Sequence, residues 1–266
     1  MNFLQFIAQA KKLINLAKVI GTDDLRKLQK EINHVADTFL QQHHPEYYSY
    51  LDFISKLLYQ RQKDEIELLP IYEDHNRPVE IITDANLAVT LKKLKKEPVL
   101  GFDTESKPVF EKAQKQYTDL FQIATPKTCY IFQINKISHP SQLEIITKDR
   151  NIKKVGVGLG SDIKSLKDEF QMKCESFIDL NTIFEHLGRS NNIGSKQLVA
   201  AVLGKNLKKN KKTTVSNWQN ETLTPEQVAY ASDDAFSSID AYLNLQKSLK
   251  DHKPYLSGKL IKFFNF

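Results

Sequence analysis

Cysteine is scarce in this chain, and long apolar runs are absent. The 266 residues include two cysteines, Cys129 and Cys174, too few for a disulfide framework, which indicates a reducing compartment. No apolar run approaches the roughly 20 residues that a membrane-spanning helix needs, so we expect no membrane partner. Polar side chains interrupt residues 1–20, which also lack an early positive charge, and this argues against a signal peptide. The expected location is the cytoplasm.

Positive charge is concentrated after the first 75 residues. Residues 1–75 hold 9 Lys and Arg against 11 Asp and Glu, which leaves 29 against 21 for residues 76–266 and a net charge of +6 for the chain. A basic domain suits a polyanionic partner such as nucleic acid. A basic surface can also serve solubility alone, so the charge leaves both interpretations open.

Residues 1–75 are predicted to form a helical extension. Apolar residues recur at helical spacing over residues 1–20. Thr22 can cap a second helix, and Pro45 suits the first position of a third that reaches about Arg61. We expect these helices to bury their apolar stripes against one another or against the main domain. A protein partner or self-association through them is the alternative.

A stretch of mixed charge with prolines, residues 62–78, separates this extension from the rest of the chain. Beyond it, a hairpin of apolar strands is followed by strands that alternate with helices. This order indicates an α/β domain with a mixed sheet covered by helices. We therefore predict a helical N-terminal extension over 1–75, an α/β domain over 76–250 and a C-terminal tail over 251–266.

The stretch Val99–Glu105 is predicted to be a buried strand that ends in two carboxylates. Because side chains alternate along a strand, Asp103 and Glu105 share one face and Thr104 lies on the other. Two anions on one face repel each other unless a cation lies between them, and a divalent metal with oxygen ligands is the natural partner. A short motif of this kind also marks ordinary solvated strand ends, so it needs support from elsewhere in the chain.

Two later segments supply that support. Asp162 begins a helix directly after the glycine-rich strand 154–159. The last long helix has a clear start signal in Thr224-Pro225-Glu226-Gln227. On that helix Tyr230 and Asp234 lie one turn apart on the same face.

Two neighbouring acids compete with this assignment. The four-residue spacing from Tyr230 selects Asp234 over Asp233. Asp168 competes with Asp162, but it lies more than a turn into its helix, away from the strand end. Each of these residues alone fits a surface or capping role, and the ordered set in its expected settings is what carries weight.

The ordered set resembles the DEDD family of 3′→5′ exonucleases, in the subgroup whose third motif contains tyrosine. Three phrases carry the resemblance: Gly101-Phe102-Asp103-Thr104-Glu105, then Val155-Gly156-Val157-Gly158 leading to Asp162, then Ser216-Asn217-Trp218 with Tyr230-Ala231-Ser232-Asp233-Asp234. Within that family the chain is most similar to the exonuclease domain of the Werner-syndrome helicase, with ribonuclease D as the next relative. The resemblance implies an α/β fold of the ribonuclease H-like (DnaQ-like) type, with a mixed sheet of about five to six strands flanked by helices.

The resemblance also implies a role for each side chain. Asp103, Glu105 and Asp234 hold a first divalent cation, either Mg²⁺ or Mn²⁺. Asp103 bridges to a second cation, which Asp162 anchors. Tyr230 orients the attacking water through its hydroxyl, and with an unperturbed pKa of about 10 it is not the base itself.

Contacts with nucleic acid follow less directly from the sequence. A dense basic run can track a phosphate backbone or form a solvated loop; its members are Lys205, Lys208, Lys209, Lys211 and Lys212. Trp218 can stack on a base or serve packing. By resemblance, the backbone around Thr104 and Ser106 lies near the 3′-terminal nucleotide.

The expected function is therefore a metal-dependent exonuclease. It acts on single-stranded or recessed 3′ ends of DNA and releases nucleoside 5′-monophosphates. RNA is the first alternative substrate, as for ribonuclease D, because no motif reveals how a 2′-hydroxyl is recognised. A nucleic-acid-binding module with little turnover is the second alternative, against which the complete carboxylate set argues. For an enzyme of this kind, the nucleoid or the nucleus stays open as a location beside the cytoplasm.

Overall fold

A computed structural model describes residues 22–73, 77–108, 117–189 and 191–266. The chain divides into two compact units, Met1–Lys56 and Leu57–Phe266. The helix predicted over residues 1–20 lies outside the described residues. The domain boundaries predicted after residues 75 and 250 stay predictions.

Helix α1 (Thr22–His43) lies in the first unit and begins at the residue expected to cap it. Helix α2 (Pro45–Leu58) begins with Pro45, as predicted, but ends at Leu58 rather than near Arg61. Leu40 and Ile54 are buried on these helices. The predicted role of the extension in protein association stays a prediction.

The second unit is built on a mixed sheet. Its strands are β1 (Ile71–Tyr72), β2 (Val79–Ile82), β3 (Val99–Ser106), β4 (Thr118–Ala124), β5 (Cys129–Gln133), β6 (Lys153–Gly156), β7 (Phe177–Asp179) and β8 (Asn206–Leu207). Six of them form one sheet in the order β2-β5-β4-β3-β6-β7, and β1 pairs with β8 in a separate parallel pair. Strand β4 is antiparallel to β3 and β5, whereas the pairs β2–β5, β3–β6 and β6–β7 are parallel. The predicted α/β fold with a mixed sheet is confirmed.

Helices cover this sheet. They are α3 (Lys63–Glu67), α4 (Asp84–Leu94), α5 (Glu144–Thr147), α6 (Gly160–Phe170), α7 (Leu180–His186), α8 (Ser195–Leu203), α9 (Lys211–Thr214), α10 (Pro225–Lys250) and α11 (Gly258–Phe264). In the described part of the chain, no helix combines the length and apolarity needed to cross a membrane.

Strand β3 lies inside the sheet, and side-chain alternation gives it two different faces. On one face Phe102 packs edge-on against Phe177, with ring centroids 5.2 Å apart. Phe102 belongs to a buried core that also contains Leu94 of α4 and Leu166 of α6. Burial of such side chains contributes about 1.5–3 kcal/mol each, so this face anchors the strand.

The other face of β3 packs closely on α10. A Cβ atom at Gly101 would lie 2.1 Å from the carbonyl oxygen of Ala235, a distance that no side chain tolerates. The absence of a side chain at Gly101 therefore sets how near the helix approaches the strand. This approach places the segment around Asp234 beside Asp103.

Two local features differ from expectation. Helix α6 begins at Gly160, so Asp162 lies in its first turn rather than at its start, and Leu159 precedes the helix without a side-chain cap. The residues predicted as a C-terminal tail contain helix α11, which Ser257 caps by accepting a hydrogen bond from the Leu260 amide at 3.4 Å. Phe264 of α11 is fully buried.

Candidate active site

Helix α10 has a firmly fixed start. The Thr224 hydroxyl accepts a hydrogen bond from the Gln227 amide at 3.2 Å, and the Gln227 side chain accepts one from the Thr224 amide at 3.0 Å. This reciprocal arrangement is the predicted capping box. The Gln227 side chain also donates to Ser216 at 2.9 Å. These bonds hold the segment before α10 and the first turn of α10 together, one turn before Tyr230.

Three carboxylates meet where β3 ends beside α10. Asp103, Glu105 and Asp234 each offer an oxygen, and these oxygens lie within 4.8 Å of one another. The Oδ2 atom of Asp234 is buried and has no hydrogen-bond partner among the described residues. Hard carboxylate oxygens, a concentrated negative charge and an unsatisfied buried oxygen together fit a divalent cation. We call these three residues the carboxylate cluster.

The electrostatics of the carboxylate cluster point to the same need for a cation. Burial raises the pKa of Asp103 well above its usual value, and the charges of Asp234 and Asp162 add to the shift. Burial, followed by the charge of Asp103, raises the pKa of Glu105 to about 9. Without a cation these carboxylates cannot all be ionised at little cost, because they are desolvated and repel one another.

Asp162 approaches from α6. It is buried, and the Thr104 hydroxyl donates a hydrogen bond to its carboxylate. Burial raises the pKa of Asp162, and the Thr104 bond opposes that shift. Asp162 influences the charge state of Asp103 but is not one of the three residues whose oxygens approach within 4.8 Å.

Lys209 is the cation nearest to Asp234 in the described part of the chain. Its ammonium forms an ion pair with Asp234 and lies 4.6 Å from the centre of the Tyr230 ring. Burial acts to lower the pKa of Lys209, but Asp234, Tyr230 and Asp103 outweigh it and the pKa is raised. Lys209 therefore stays charged and partly neutralises the carboxylate cluster.

Tyr230 lies next to the Lys209–Asp234 ion pair. Its hydroxyl is 3.1 Å from the Thr214 hydroxyl and 3.4 Å from the Lys209 ammonium. Burial, and then the charge of Asp234, raises the pKa of Tyr230. The phenol is therefore protonated at neutral pH, so it can donate or accept a hydrogen bond but cannot act as a base.

The remaining candidates occupy different positions. Asp234 rather than Asp233 belongs to the carboxylate cluster. Asp168 is exposed and pairs with Lys164 along α6. Trp218 is 1% exposed, its ring centroid lies 5.9 Å from that of Tyr230, and its indole nitrogen donates to Thr214. This is the position of a packing residue, and stacking on a base would require Trp218 to leave it.

The other lysines of the basic run lie on the protein surface. Lys208, Lys211 and Lys212 are exposed, and the latter two begin α9. Only Lys209 turns inward to the carboxylate cluster. The sequence marked this run as basic but contained no signal that distinguished Lys209 from its neighbours.

A cavity of about 420 Å³ opens beside the carboxylate cluster. Thr104, Glu105 and Ser106 line it from β3, and Asp162 and Ser165 line it from α6. Thr214 and Val215 also line it, as do Pro108 and Ser161. Sequence reasoning missed Ser165, Thr214 and Val215, because small polar and aliphatic residues carry no motif and adjacency to Ser216-Asn217-Trp218 was the sole available hint.

The comparisons with known proteins agree with this geometry. Residues 78–250 match the family described as 3'-5' exonuclease. This chain belongs to that family. The mouse bifunctional 3'-5' exonuclease/ATP-dependent helicase WRN is 35% identical over 150 residues, which are 55% of this chain and 11% of that protein. The human exonuclease 3'-5' domain-containing protein 2 is 32% identical over 157 residues, 56% of this chain and 25% of that protein. The resemblance to the Werner-type exonuclease domain is thus confirmed.

Solved structures show the same fold. The EXO domain of Aedes aegypti Nibbler has a TM-score of 0.61 at 22% identity, with 74% of this chain and 99% of that chain covered. Escherichia coli RNase D has a TM-score of 0.56 at 22% identity, with 65% and 46% covered. The matches span 11%, 40% and 25% of the lengths of the first curated relatives, so family and fold are shared while the activities of those whole proteins are not thereby transferred.

Proposed function

We propose that this chain is a metal-dependent 3′→5′ exonuclease. It would hydrolyse the phosphodiester bond at single-stranded or recessed 3′ ends of DNA and release nucleoside 5′-monophosphates. The carboxylate cluster within 4.8 Å is the observation that carries this proposal. In a chain of the 3'-5' exonuclease family, such a cluster at a strand end is the expected active site.

The metal ligands follow from the positions of the carboxylates. Asp103, Glu105 and Asp234 would hold one divalent cation, Mg²⁺ or Mn²⁺, and Asp162 would contribute to a second that Asp103 shares. Divalent cations at such a site lower the pKa of a bound water and offset the charge on the phosphoryl oxygens. Thr104 supports this arrangement because its hydroxyl bond fixes the orientation of Asp162.

Tyr230 and Lys209 act on the attacking water and on charge. The protonated Tyr230 hydroxyl, held near Thr214 and Lys209, would orient the water for attack on phosphorus. Burial raises the pKa of Asp234, and the ion pair with Lys209 opposes that rise and holds the carboxylate in position. Its positive charge also favours the anionic phosphate over a neutral competitor.

The cavity beside the carboxylate cluster would receive the 3′-terminal nucleotide. Thr104 and Ser106 line it next to Glu105, and their hydroxyl and backbone groups would contact the terminal sugar. Lys208, Lys211 and Lys212 are exposed on or just before α9, the helix whose Thr214 lines the cavity, and would contact phosphates further along the strand. Trp218 would hold the Tyr230 ring in position by packing against it.

RNA is the second candidate substrate. Hydroxyl side chains from Ser106, Ser165 and Thr214 line the cavity, and such groups can hydrogen-bond a ribose 2′-hydroxyl. A Trypanosoma brucei RNase D solved in complex with RNA U12 shares the fold at a TM-score of 0.56 and 16% identity. DNA remains the first candidate on the resemblance of the sequence motifs to the Werner-type exonuclease domain, whose mouse relative is 35% identical over 150 residues.

A digestion time course tests the proposal. The substrates are 5′-labelled single-stranded DNA, a recessed-end duplex and matched RNA, each with Mg²⁺ or Mn²⁺ and with EDTA. The wild type should produce a ladder that shortens from the 3′ end, and Asp103→Ala should abolish it. Asp168→Ala is the matched control, because this acid is exposed and pairs with Lys164 along α6, outside the carboxylate cluster. A folded protein that binds Mn²⁺ yet cuts none of the substrates would indicate a binding module instead.

A further inference from the structure

A second cavity, of about 680 Å³, lies away from the carboxylate cluster. It is formed where β6 and β7 begin, beside α7 and α11. Two aromatic side chains, Phe177 and Phe263, contribute to its wall. A cavity of this size suits a small organic ligand or one unit of a polymer.

Basic side chains dominate the polar part of this wall. They are Arg150, Lys153, His186, Lys259 and Lys262, and no Asp or Glu is among the lining residues. We call this second cavity the basic cavity. Lys259 and Lys262 form no ion pair within the described chain, and both are exposed. Arg150 pairs with Glu175 at 3.3 Å, but both partners are solvated, so that pair is weak and replaceable.

Lys153 contributes charge from a less exposed position. Its ammonium donates hydrogen bonds to the Tyr242 hydroxyl at 3.0 Å and to the Phe263 carbonyl. Burial lowers its pKa, and no acidic neighbour opposes that shift. A partly desolvated ammonium whose hydrogen-bond partners are all neutral lacks a counter-charge, so it favours the binding of an anion beside it.

The aromatic groups make the cavity more than a charged patch. His186 stacks on Phe263, with ring centroids 5.7 Å apart and planes inclined by 29°. Phe177 packs against Phe102 of the core, is half-buried and also lines the cavity. Aromatic faces combined with cations are the surroundings in which proteins bind a nucleobase together with its phosphate.

The two cavities lie at opposite ends of the sheet. Strands β3 and β6 are parallel, and Val99 pairs with Lys153 at their beginning. Asp103 and Glu105 follow four to six residues later on β3, about 13–20 Å along the strand at roughly 3.3 Å per residue. A nucleotide at the carboxylate cluster cannot also fill the basic cavity.

From this combination we propose that the basic cavity is a second nucleotide site, which binds an aromatic base together with its phosphate. Lys259 and Lys262 contact the phosphate at the rim, while Phe177 and Phe263 contact the base. The nucleotide is either free or one unit of a strand, since both present the same chemistry to the cavity. Binding here involves no hydrolysis and does not depend on the carboxylate cluster.

The test measures binding in EDTA, where no metal-dependent turnover occurs. Fluorescent N-methylanthraniloyl-AMP and a 5′-labelled 12-nucleotide DNA are titrated separately into the full chain and followed by anisotropy. The test variant is Lys259→Gln/Lys262→Gln. Lys92→Gln/Lys95→Gln is the control with the same charge change, because both lysines are exposed on α4 or at its end and make no ion pair in the described chain. Circular dichroism checks that both variants are folded.

We expect the test variant to bind at least one of the probes about tenfold or more weakly, with the control unchanged. Loss of AMP binding alone identifies a free nucleotide. Loss of strand binding, with the slope of log K against log salt reduced by about 1.4 for two lost phosphate contacts, identifies a strand. Binding that falls equally in both variants, no binding of either probe, or displacement by inorganic phosphate as effective as by AMP would overturn the proposal.

Discussion

Lys209 and Asp234 form an ion pair at the edge of the carboxylate cluster. The lysine comes from the segment between β8 and α9, and the aspartate from α10. The Lys209 ammonium therefore partly offsets the negative charge that a divalent cation would otherwise neutralise. The pair links the basic run to the carboxylate cluster, so we expect Lys209 and a metal to compete for the same negative charge.

The first prediction concerns that competition. Replacing Lys209 with glutamine removes a positive charge beside Asp234, so Mn²⁺ should bind more tightly, by tenfold for about 1.4 kcal/mol of repulsion removed. Turnover should nevertheless fall, because the Tyr230 hydroxyl loses a neighbour at 3.4 Å. Calorimetry with Mn²⁺ and the digestion assay measure the two effects. Lys95→Gln, at an exposed lysine at the end of α4, is the control, and weaker Mn²⁺ binding by Lys209→Gln would contradict the idea.

The second prediction concerns pH and the metal-free protein. The pKa of Glu105 is raised to about 9, above the ordinary value of about 4.3 in an unfolded chain. Between these values the folded state holds a proton that the unfolded state has lost, so stability should fall as the pH rises from about 4.5 towards 9. Thermal melts in EDTA across this range should show the decline.

Glu105→Gln is the diagnostic variant for that decline. It should make the metal-free protein melt higher at pH 8, by about 2–4 °C for each kcal/mol of repulsion relieved. With Mn²⁺ present the order should reverse, because the wild type gains a bound cation. Equal pH slopes for the wild type and Glu105→Gln in EDTA would show that Glu105 does not carry the effect.

A third prediction isolates the Tyr230 hydroxyl. Tyr230→Phe keeps the ring that packs against Trp218 at 5.9 Å but removes the group near Thr214. We expect kcat to fall roughly 10- to 100-fold with Mn²⁺ affinity unchanged. Because the pKa of Tyr230 is raised, the pH dependence of the remaining activity should keep its shape.

The matched control for this substitution is Tyr59→Phe. Tyr59 is 52% exposed, and its hydroxyl bonds Glu65 at 3.0 Å on the surface of the second unit. The Tyr59→Phe substitution should leave kcat unchanged. A Tyr230→Phe enzyme with full activity would remove the tyrosine hydroxyl from the mechanism and leave the carboxylates as the acting groups.

The fourth prediction concerns the contact between β3 and α10. Gly101→Ala places a methyl group 2.1 Å from the Ala235 carbonyl oxygen, so the helix must shift away from the strand. Overpacking of this kind costs about 1–3 kcal/mol or more, and the shift would also separate Asp234 from Asp103. We expect a lower melting temperature together with weaker Mn²⁺ binding.

Gly160→Ala provides the comparison at a glycine without such a neighbour. A Cβ atom there meets nothing within 4 Å, and alanine favours the first turn of α6. Its stability should be equal or higher, with Mn²⁺ binding unchanged. If Gly101→Ala melted like the wild type, the close approach would not be what holds the carboxylate cluster together.

Some properties of this protein were readable from the sequence because they depend on local geometry. Alternation along β3 put Asp103 and Glu105 on one face, and helical spacing put Tyr230 one turn before Asp234. The capping box at Thr224 was also predictable, because all its groups lie within four residues. The mixed sheet and its helices followed from periodicity and from the family resemblance.

Other properties were decided by contacts between distant segments. Thr104 and Asp162 are 58 residues apart, and Lys209 and Asp234 are 25 apart. One lysine among five turned inward, and Trp218 became buried instead of exposed, because packing and desolvation select among side chains of similar local character. The basic cavity arises where α11, at the end of the described chain, meets the beginning of β6 and β7. Sequence patterns describe local structure and do not predict contacts between distant segments, so only the tertiary structure could decide these features.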